Sequence, residues 1–491
     1  MSTQNTDSSD APSPRPGYVG KIGMALGPLL FVSTYLIGPP DGLSPVGWSI
    51  AGLAAWMATW WITEAVPLPA TSLLPIVIIP LAGAGTVSEA TEPFANRIVF
   101  LFLGGFLIAI AIERWELHRR LALTILTRLP GRPDLLVGGF MAVSAFLSMW
   151  MSNVAAALMM LPIGLSVIRL MDDGEVSAGR DFAIALMLGL AYAASIGGVG
   201  TLIGSVPNAF AAGMMDEVYG IQVGFGAWMV AALPLSLTLL VITWFLLCRV
   251  ICRLPRGELA GARAMIAERH AELGAMTTAE RRVALIAGLT AFLWVFRPLI
   301  ADLLGTSALT DTGIAIGAAV LLFATRAGTG NKDRLLDWPT AKRVPWDILI
   351  LFGGGLSLAT AVQETGLAGW IGASLEGLAD WPMILVVGII VATVIFMTEI
   401  ASNTATSATF IPIAAALALV FAVSPFDLAA PVAIAASCAF MLPVATPPNA
   451  IVYSSGAISI MQMVRAGILL NILAVILISI YIPWAIALVF D

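Results

Sequence analysis

Charged side chains are scarce in this sequence of 491 residues: Asp, Glu, Lys and Arg together make up 11% of the chain. A soluble globular protein has roughly 25% charged residues. Hydrophobic residues make up 59% instead, and long apolar runs recur from Lys21 to the C-terminus. Because these runs are continuous and do not alternate, they indicate membrane-spanning helices and exclude a β-barrel. The composition therefore predicts an integral, all-α polytopic membrane protein.

Histidine and cysteine are scarcer still. The two histidines are His118 and His270, and the three cysteines, Cys248, Cys252 and Cys438, form no CxxC pair. This leaves no disulfide framework and too few ligands for most metalloenzyme designs. An intramembrane protease or lipid transferase would need a nucleophile–base pair or an acidic metal motif, which two histidines in predicted cytoplasmic segments do not supply. We therefore expect neither an enzyme nor a resident cofactor.

The placement of basic residues predicts the topology. Arg and Lys concentrate in 114–132, 249–282 and 326–343, which the positive-inside rule assigns to the cytoplasm. The acidic stretch 83–96 and the C-terminus then lie outside, and the N-terminus lies inside. About 11 transmembrane helices plus two re-entrant hairpins satisfy every charged loop. Residues 1–17 are polar and rich in Pro and Ser, so they are expected to form a disordered N-terminal tail.

The chain contains an internal repeat. LFLGGFLIA (101–109) resembles LFGGGLSLA (351–359), and Ser152–Asn153 recurs at the same spacing as Ser402–Asn403. Further on, GSVPN (204–208) matches ATPPN (445–449). The segment ERWELHRRLALTILTRLPGR carries five Arg, whereas its counterpart QETGLAGWIGASLEGLADWP carries no Arg or Lys. One is predicted inside and the other outside, so we expect two inverted repeats, which indicate a secondary transporter with its site near the bilayer midplane.

Each repeat has two polar interruptions, an SN motif and a PN motif. Backbone that leaves a helix at membrane depth must be buried in protein or line a cavity. The Ser and Asn side chains and the unwound carbonyls supply neutral oxygens suited to Na⁺, and helix N-termini supply N–H groups suited to an anion. No Arg or Lys lies in these motifs, so bound cations would have to neutralise an anionic substrate. Anion binding would then depend on cation binding.

Packing is the alternative interpretation of these polar residues, because small polar side chains often serve only as contacts between membrane helices. The repetition of both motifs at matching spacing favours function, although Thr406, Ser407 and Thr409 are individually expected to pack. A channel is a further alternative, but mirrored tips favour alternating access. Glu64 and Glu399 are ionisable at membrane depth and are candidates for proton coupling. Each is equally compatible with a helix end or a local pair.

The motifs WWITEAVPLPATSLLPI, SMWMSN, GTLIGSVPN, MTEIASNTATSATFIPI and MLPVATPPNAIVYSSGAI resemble the divalent anion/sodium symporter (DASS) family over nearly the whole chain beyond the tail. The resemblance implies a homodimer of the elevator type, in which a transport domain moves against a fixed scaffold domain. The scaffold would comprise 18–133 and 283–382, and the transport domain would comprise 134–252 and 383–491. Residues 253–282 would form a cytoplasmic connector.

The resemblance also implies the binding residues. The substrate residues and the Na⁺ ligands would come from the two SN tips and the two PN loops. The first Na⁺ would be held by Ser148, Ser152, Asn153 and the backbone of Gly204, and the second by Thr398, Asn403 and the backbone of Ala401 and Ala445. The substrate would contact Asn153, Ser205, Asn403, Thr404 and Thr446, with Pro447 lining the pocket.

Val154 is a departure from the family pattern, because the first tip reads SNV where SNT is usual. A hydrogen bond to a charged group is worth about 1.5–3 kcal/mol, so either affinity or selectivity should differ unless another group compensates. Val206, where the second repeat has Pro447, is a further asymmetry on the same side of the pocket.

The expected function is Na⁺-coupled symport of C4-dicarboxylates such as succinate, malate and fumarate across a bacterial-type inner membrane. An exchanger of the same fold is the alternative, as is transport of citrate, 2-oxoglutarate or sulfate. The expected partners are the anion, Na⁺, membrane lipid and a second copy of the chain, with no nucleic acid.

Overall fold

The computed structural model describes residues 18–169, 176–254, 257, 261–328, 333–374, 377 and 380–490, without the side chains of 176–178. The expected tail, residues 1–17, lies outside this part of the chain. So does Asp491 at the C-terminus.

The described residues are predominantly helical. In chain order the α-helices are α1 (Tyr18–Leu36), α2 (Pro45–Thr63), α3 (Leu68–Thr71), α4 (Leu74–Leu81), α5 (Val87–Thr91), α6 (Arg97–Arg114), α7 (Leu117–Leu126), α8 (Pro133–Ser148), α9 (Asn153–Arg169), α10 (Val176–Val199), α11 (Val206–Tyr219), α12 (Phe225–Phe245), α13 (Ala262–Glu272), α14 (Thr278–Leu304), α15 (Asp311–Ala324), α16 (Trp338–Ala341), α17 (Trp346–Glu364), α18 (Leu367–Ser374), α19 (Met383–Thr398), α20 (Asn403–Val420), α21 (Pro425–Ala436), α22 (Pro447–Ser454) and α23 (Ile460–Phe490). A 3₁₀ turn (Glu92–Ala95) leads into α6, and a π-helical turn (Leu246–Ile251) extends α12.

Eight helical segments of the described chain are long and apolar enough to cross a membrane. They are Tyr18–Leu36, Val87–Arg114, Gly179–Val199, Phe225–Ile251, Thr278–Leu304, Trp346–Glu364, Asn403–Val420 and Ile460–Phe490. Six further apolar helical segments are shorter, at 10–17 residues. The chain is therefore a polytopic helical membrane protein, while the expected number of about 11 crossings stays a prediction.

One predicted span differs in the structure. The sequence predicts a single helix near 65–82, but the chain forms the short helices α3 and α4, which meet at Ser72–Leu73. Pro69 and Pro75 each lie in the first turn of one of these helices. Proline has no backbone N–H, so it suits a first turn and not a helix interior. The apolar run therefore contains two helix starts.

Two helical hairpins have their turns at the SN motifs. The first consists of α8 and α9 with the turn at 149–152, and the second consists of α19 and α20 with the turn at 399–402. Helices α8 and α19 each have 16 residues, which is about 24 Å at 1.5 Å per residue. A hydrocarbon core is about 30 Å thick. Neither helix can cross it alone, as a hairpin that enters and leaves on one side requires.

Each hairpin is followed by a broken helix. The helices α10 and α11 are separated by residues 200–205, and α21 and α22 are separated by 437–446. Both restarts carry proline in the first turn, at Pro207 and at Pro447. The described residues of α10 from 182 to 199 are all buried. This helix therefore runs through the centre of the protein, away from lipid.

Helices α6 and α17, which carry the glycine-rich motifs, lie against the broken helices. A Cβ on Gly355 would lie 2.4 Å from the Phe210 ring of α11, while one on Gly105 would lie 3.4 Å from Ile203. The Phe210 ring also stacks on Phe352. The glycines thus let α17 and α6 approach the broken helices closely. The three cysteines, Cys248, Cys252 and Cys438, are free and buried.

Candidate functional site

The first SN tip gathers oxygen atoms around one hydroxyl. Ser148 Oγ lies 2.5 Å from Asn153 Oδ1 and 2.6 Å from the carbonyl oxygen of Ala194 on α10. Ser148 is fully buried. A serine hydroxyl has one proton and can donate it to only one acceptor at a time. The tip therefore holds more acceptor oxygens than protons, which is the arrangement that a cation would complete.

The second SN tip has the same arrangement. Thr398 Oγ1 lies 2.7 Å from Asn403 Oδ1 and 3.1 Å from the carbonyl oxygen of Ala436 on α21. Thr398 is also fully buried. In both hairpins the hydroxyl comes from the last residue of the entering helix and the amide from the first residue of the returning helix. The two tips thus offer one hydroxyl, one amide oxygen and one helix carbonyl each.

Two glycines of the first repeat border this oxygen cluster. A Cβ on Gly204 would lie 2.7 Å from the carbonyl oxygen of Gly198 and 2.8 Å from Thr201 Oγ1. A Cβ on Gly198 would lie 2.6 Å from the Gly204 carbonyl oxygen and 2.7 Å from Asn153 Oδ1. The repeat alignment places Ala439 opposite Gly198, so the second repeat already carries a methyl group at this position. The two clusters are similar without being identical.

The asparagines of the PN motifs hold the broken-helix loops. The Asn208 amide nitrogen lies within hydrogen-bonding distance of the carbonyls of Gly198, Val199 and Thr201, at 2.8–3.2 Å. The Asn449 amide donates in the same way to Ala439 and Leu442, at 3.2 and 3.0 Å. Both side chains are fully buried. The sequence predicted no role for these two asparagines, although their repetition in both PN motifs was the available signal.

Different residues join each hairpin to its broken helix. In the first repeat, the Thr201 hydroxyl donates to the carbonyl of Met149 at 2.7 Å and accepts from the Gly204 N–H at 3.0 Å. In the second repeat, the Glu399 carboxylate accepts the N–H groups of residues 440–442 at 2.7, 2.8 and 3.0 Å. It also accepts from the Asn471 amide of α23 at 2.7 Å. The Glu399 carboxylate therefore has hydrogen-bond partners on a loop and a helix that lie far along the chain.

The four motifs meet at one cavity of about 810 Å³. The structure places all seven residues expected at the substrate site in its lining: Asn153, Val154, Ser205, Asn403, Thr404, Thr446 and Pro447. Of the residues expected to hold Na⁺, Ser152, Asn153, Gly204, Ala401, Asn403 and Ala445 also line the cavity. Ser148 and Thr398 lie behind the lining and contact it through Asn153 and Asn403.

The charge of the cavity wall is unusual for an anion site. Among the described residues that line it, none is Arg or Lys, and Glu64 alone is ionisable. The rest of the wall is neutral and includes Phe102, Phe106 and Ile348. Glu64 ends α2 with left-handed backbone angles, φ 47° and ψ 37°, which non-glycine residues seldom adopt. An anion bound here would need its charge balanced by bound cations and by the helix N-termini of the tips.

Hydroxyls near the cavity differ in their partners. Ser205 Oγ lies 2.6 Å from Ser437 Oγ of the second broken helix, a contact between the two repeats that the sequence did not predict. Ser407 and Thr409 donate to backbone carbonyls of their own helix at 2.8 and 2.9 Å. The packing expectation for these two residues agrees with those contacts. Thr406 is also buried.

The described histidine and acidic side chains form no candidate metal centre. Across the described residues, no group of three or more His, Cys, Asp or Glu side chains could hold a metal ion. His118 packs with Nδ1 3.1 Å from the carbonyl oxygen of Ile112. Burial lowers the pKa of this imidazole, so the side chain is neutral near pH 7. The acidic Asp172–Asp173 pair lies outside the described residues.

Known proteins match this chain in sequence over all the residues that line the cavity, apart from Val19. Residues 24–490 match the family described as the sodium:sulfate symporter transmembrane region. The sodium-dependent dicarboxylate transporter SdcS of Staphylococcus saprophyticus is 41% identical over 466 residues, covering 93% of this chain and 89% of that protein. The transporter of the same name from Staphylococcus aureus (strain USA300) is 43% identical over 464 residues, with the same coverage.

Two solved structures share the fold at low sequence identity. MtrF of Neisseria gonorrhoeae, described as an antimetabolite efflux pump, superposes with a TM-score of 0.59 at 12% identity over 95% of both chains. The YdaH transporter of Alcanivorax borkumensis superposes with a TM-score of 0.55 at 12% identity, covering 96% of this chain and 99% of that one. At this identity the likeness concerns the fold alone.

Proposed function

Because the chain belongs to the family of the sodium:sulfate symporter transmembrane region, we propose that it imports C4-dicarboxylates by symport with Na⁺. The family consists of transporters, so the chain is a transporter and not an enzyme. The relatives named as sodium-dependent dicarboxylate transporters are more than 40% identical over 93% of the chain. They support Na⁺ as the coupling ion and a dicarboxylate as the anion.

The single observation that carries the proposal is the surplus of acceptor oxygens at both SN tips. Ser148 and Thr398 each face an amide oxygen and a helix carbonyl with one proton to share. Two Na⁺ ions at these tips would supply the missing positive charge. They would also border a cavity in which the described lining offers no Arg or Lys. A dicarboxylate between the tips would be neutralised by the two cations, and this couples its binding to theirs.

The proposed substrate contacts follow from the lining. The side chains of Asn153, Asn403 and Thr404 provide hydrogen-bond donors, and the restarts of α11 and α22 at Ser205 and Thr446 present helix N-termini. N-termini attract anions through unpaired N–H groups and the positive end of the helix dipole. Pro207 and Pro447 occupy first-turn positions, where a missing N–H costs no helix hydrogen bond. The arrangement offers donors at both tips, as an anion with a carboxylate at each end requires.

Movement would occur between the scaffold (18–133 and 283–382) and the transport domain (134–252 and 383–491). In this division, the cavity lies between the hairpin tips and the scaffold residues Phe102, Phe106 and Ile348. It extends to Val19, Glu64 and Ile348, each at a helix end. The distribution of basic residues assigns those ends to the cytoplasm. We therefore assign this conformation to the inward-open state of an elevator cycle. The family resemblance further supports a homodimer in the inner membrane.

The test is uptake of radiolabelled succinate by proteoliposomes that contain the purified chain. An inward Na⁺ gradient should drive accumulation into vesicles with no internal dicarboxylate, and replacing Na⁺ by choline should abolish it. Uptake that requires internal dicarboxylate and ignores Na⁺ would instead establish an exchanger. Competition by malate, fumarate, citrate, 2-oxoglutarate and sulfate in the same assay would define the anion.

A further inference from the structure

A second cleft, of about 300 Å³, lies between α7, α9 and α13. It shares none of its described lining residues with the central cavity. Two arginines, Arg119 of α7 and Arg269 of α13, line it together with apolar side chains such as Met159, Ile163 and Met265. None of the described residues in its lining is acidic. This basic cleft therefore combines positive charge with an apolar wall.

The two helices that carry the arginines are fixed to each other. Arg120 of α7 donates to the carbonyls of Leu273 and Gly274, directly after α13, at 3.1 and 2.9 Å. One turn further along α7, Thr124 Oγ1 lies 3.2 Å from His270 Nε2. Helices α7 and α13 thus form one preformed wall of the basic cleft, and α9 of the first hairpin forms the other.

Both arginines keep free hydrogen-bond donors. Arg119 Nη1 lies 3.4 Å from Glu116 Oε2, and Arg269 Nη1 lies 3.3 Å from Glu272 Oε2. The arginine side chains are 36% and 49% exposed, and exposed pairs at this helical spacing contribute little to stability. A guanidinium group has five N–H donors and binds phosphate in a bidentate manner. Such a group can therefore bind an anion without breaking any buried contact.

The predicted topology places the basic cleft at the cytoplasmic surface of the membrane. Helices α7 and α13 belong to the basic segments 114–132 and 249–282, which the positive-inside rule assigns to the cytoplasm. Leu121 of α7 and Leu158 of α9 are neighbours in sequence of the lining residues and are exposed, as contact with acyl chains requires. Anionic lipids are concentrated in the cytoplasmic leaflet, and basic pockets between helices on that side bind their headgroups.

The second repeat has a corresponding cleft without charge. Residues of α18 and α20 line a cavity of about 290 Å³, in which Pro412 matches Pro162 of the basic cleft. Gly369 is the position that matches Arg119. None of the described residues that line this second cleft is charged, and the predicted topology places it outside. Of the two clefts, the one with positive charge in its described lining is thus the one on the side where the membrane surface is negative.

We propose that the basic cleft binds the phosphate headgroup of an anionic phospholipid from the cytoplasmic leaflet. Arg119 and Arg269 donate to the phosphate oxygens, and the acyl chains extend into the bilayer along α7 and α9. Ligand pockets have volumes of about 300–1,000 Å³, so this cleft admits a headgroup and not a whole lipid. In the proposed division, α7 belongs to the scaffold and α9 to the transport domain. The bound lipid therefore joins the two parts and slows their relative movement.

The experiment is a titration of the purified full-length chain in detergent with phosphatidylglycerol, followed by native mass spectrometry. It contains neither Na⁺ nor dicarboxylate, so its result is independent of the proposed symport. Each arginine near an anionic headgroup contributes about fivefold in affinity. The double variant Arg119→Gln with Arg269→Gln should therefore bind phosphatidylglycerol about 25-fold more weakly than the native chain. Equal affinity in the two proteins would overturn the proposal.

Two controls distinguish the lipid site from a general effect of charge. Arg263→Gln removes an exposed arginine from the same helix α13, outside the described lining of the basic cleft, and should leave the affinity nearly unchanged. An equal loss in Arg263→Gln would show that the surface charge matters and the cleft does not. Soluble glycerol phosphate should not displace the lipid. Displacement at matching concentration would assign the cleft to a soluble phosphate compound instead.

A further variant keeps both arginines, in case their removal prevents folding. Ser166→Trp fills the basic cleft from the side of α9 and should also weaken phosphatidylglycerol binding. Lipid that binds the folded state raises its unfolding temperature by mass action, so phosphatidylglycerol should stabilise the native chain more than Ser166→Trp. Equal stabilisation of both would contradict the site.

The effect on movement is measured by succinate uptake into phosphatidylcholine vesicles with and without phosphatidylglycerol. The anionic lipid should lower the initial rate of the native chain more than that of the double variant. An equal reduction in both proteins would show that the lipid does not act through the basic cleft.

Discussion

Arg97 forms a bidentate salt bridge with the carboxylate of Asp216, which joins the start of α6 to the end of α11. The neighbouring residues make a parallel contact, because the Asn96 amide donates to Glu217. In the proposed division of the chain, the first residue of each pair belongs to the scaffold and the second to the transport domain. The topology predicted from the basic residues places these contacts outside the membrane, opposite the proposed cytoplasmic opening of the cavity, where they would hold the proposed inward-open state.

The proposed inverted repeat would make this contact one-sided. The positions that match Arg97 and Asp216 in the second repeat are Asp347 and Ala457, which cannot form an ion pair. The outward-open state would therefore lack an equivalent contact on the cytoplasmic side. We expect the resting equilibrium of the unliganded protein to favour the inward-open state.

Arg97→Gln should shift that equilibrium outward. The pair is partly exposed, with side-chain exposures of 38% and 16%, so its loss should cost about 1 kcal/mol, or about a fivefold population change. Spin labels at Val87, in the proposed scaffold, and at Gln222, in the proposed transport domain, measure this shift. The distribution of distances between them should gain a longer component. The exchange Arg97→Asp with Asp216→Arg should restore the native distribution. An unchanged distribution in Arg97→Gln would show that the pair does not bias the cycle.

Gly198→Ala should abolish Na⁺ binding at the first tip. The new methyl group would lie 2.6 Å from the Gly204 carbonyl oxygen and 2.7 Å from Asn153 Oδ1, so both oxygens must move. Na⁺-dependent thermal stabilisation should fall, and succinate affinity should fall with it. Ala439→Gly is the matched control in the second repeat, where removal of a methyl group should leave Na⁺ dependence nearly unchanged. Equal Na⁺ affinity in Gly198→Ala and the native chain would place the cation elsewhere.

Val154→Thr should strengthen substrate binding. Val154 lines the cavity, and the alignment of the two tips matches it with Thr404. A threonine at position 154 would add one hydrogen-bond donor toward the anion. A hydrogen bond to a charged group is worth about 1.5–3 kcal/mol, which corresponds to at least tenfold in affinity. Succinate titration in saturating Na⁺ measures the change. Thr404→Val should have the opposite effect, and no change in either variant would show that these positions do not touch the substrate.

Gly355→Ala should slow transport and lower stability. Its Cβ would lie 2.4 Å from the Phe210 ring, in the proposed surface between scaffold and transport domain, and overpacking of this kind costs about 1–3 kcal/mol. Thermal unfolding and the initial rate of uptake report the two effects. Gly105→Ala is the matched control, because its methyl group would lie 3.4 Å from Ile203. A native rate in Gly355→Ala would mean that Phe210 moves aside without cost.

The sequence predicted the helices and their interruptions where local chemistry determines them. Pro207 and Pro447 mark helix restarts, and the repeated Ser–Asn pairs mark the hairpin turns, because these features depend on neighbouring residues alone. The break between α3 and α4 was missed, since apolar composition hid two prolines that begin helices. The sequence did not predict three long-range contacts that the structure shows: Arg97 with Asp216, Ser205 with Ser437, and Glu399 with Asn471. Each pair joins residues far apart in the chain, and no local pattern encodes such contacts.

The burial of all three native thiols has a practical consequence. A maleimide or methanethiosulfonate reagent reacts only with a thiol that it can reach, and Cys248, Cys252 and Cys438 are each within 1% of complete burial. The native cysteines should therefore not react with such a reagent. A single cysteine introduced at the cavity mouth would report opening and closing of the protein by its modification rate, with the native cysteines left in place.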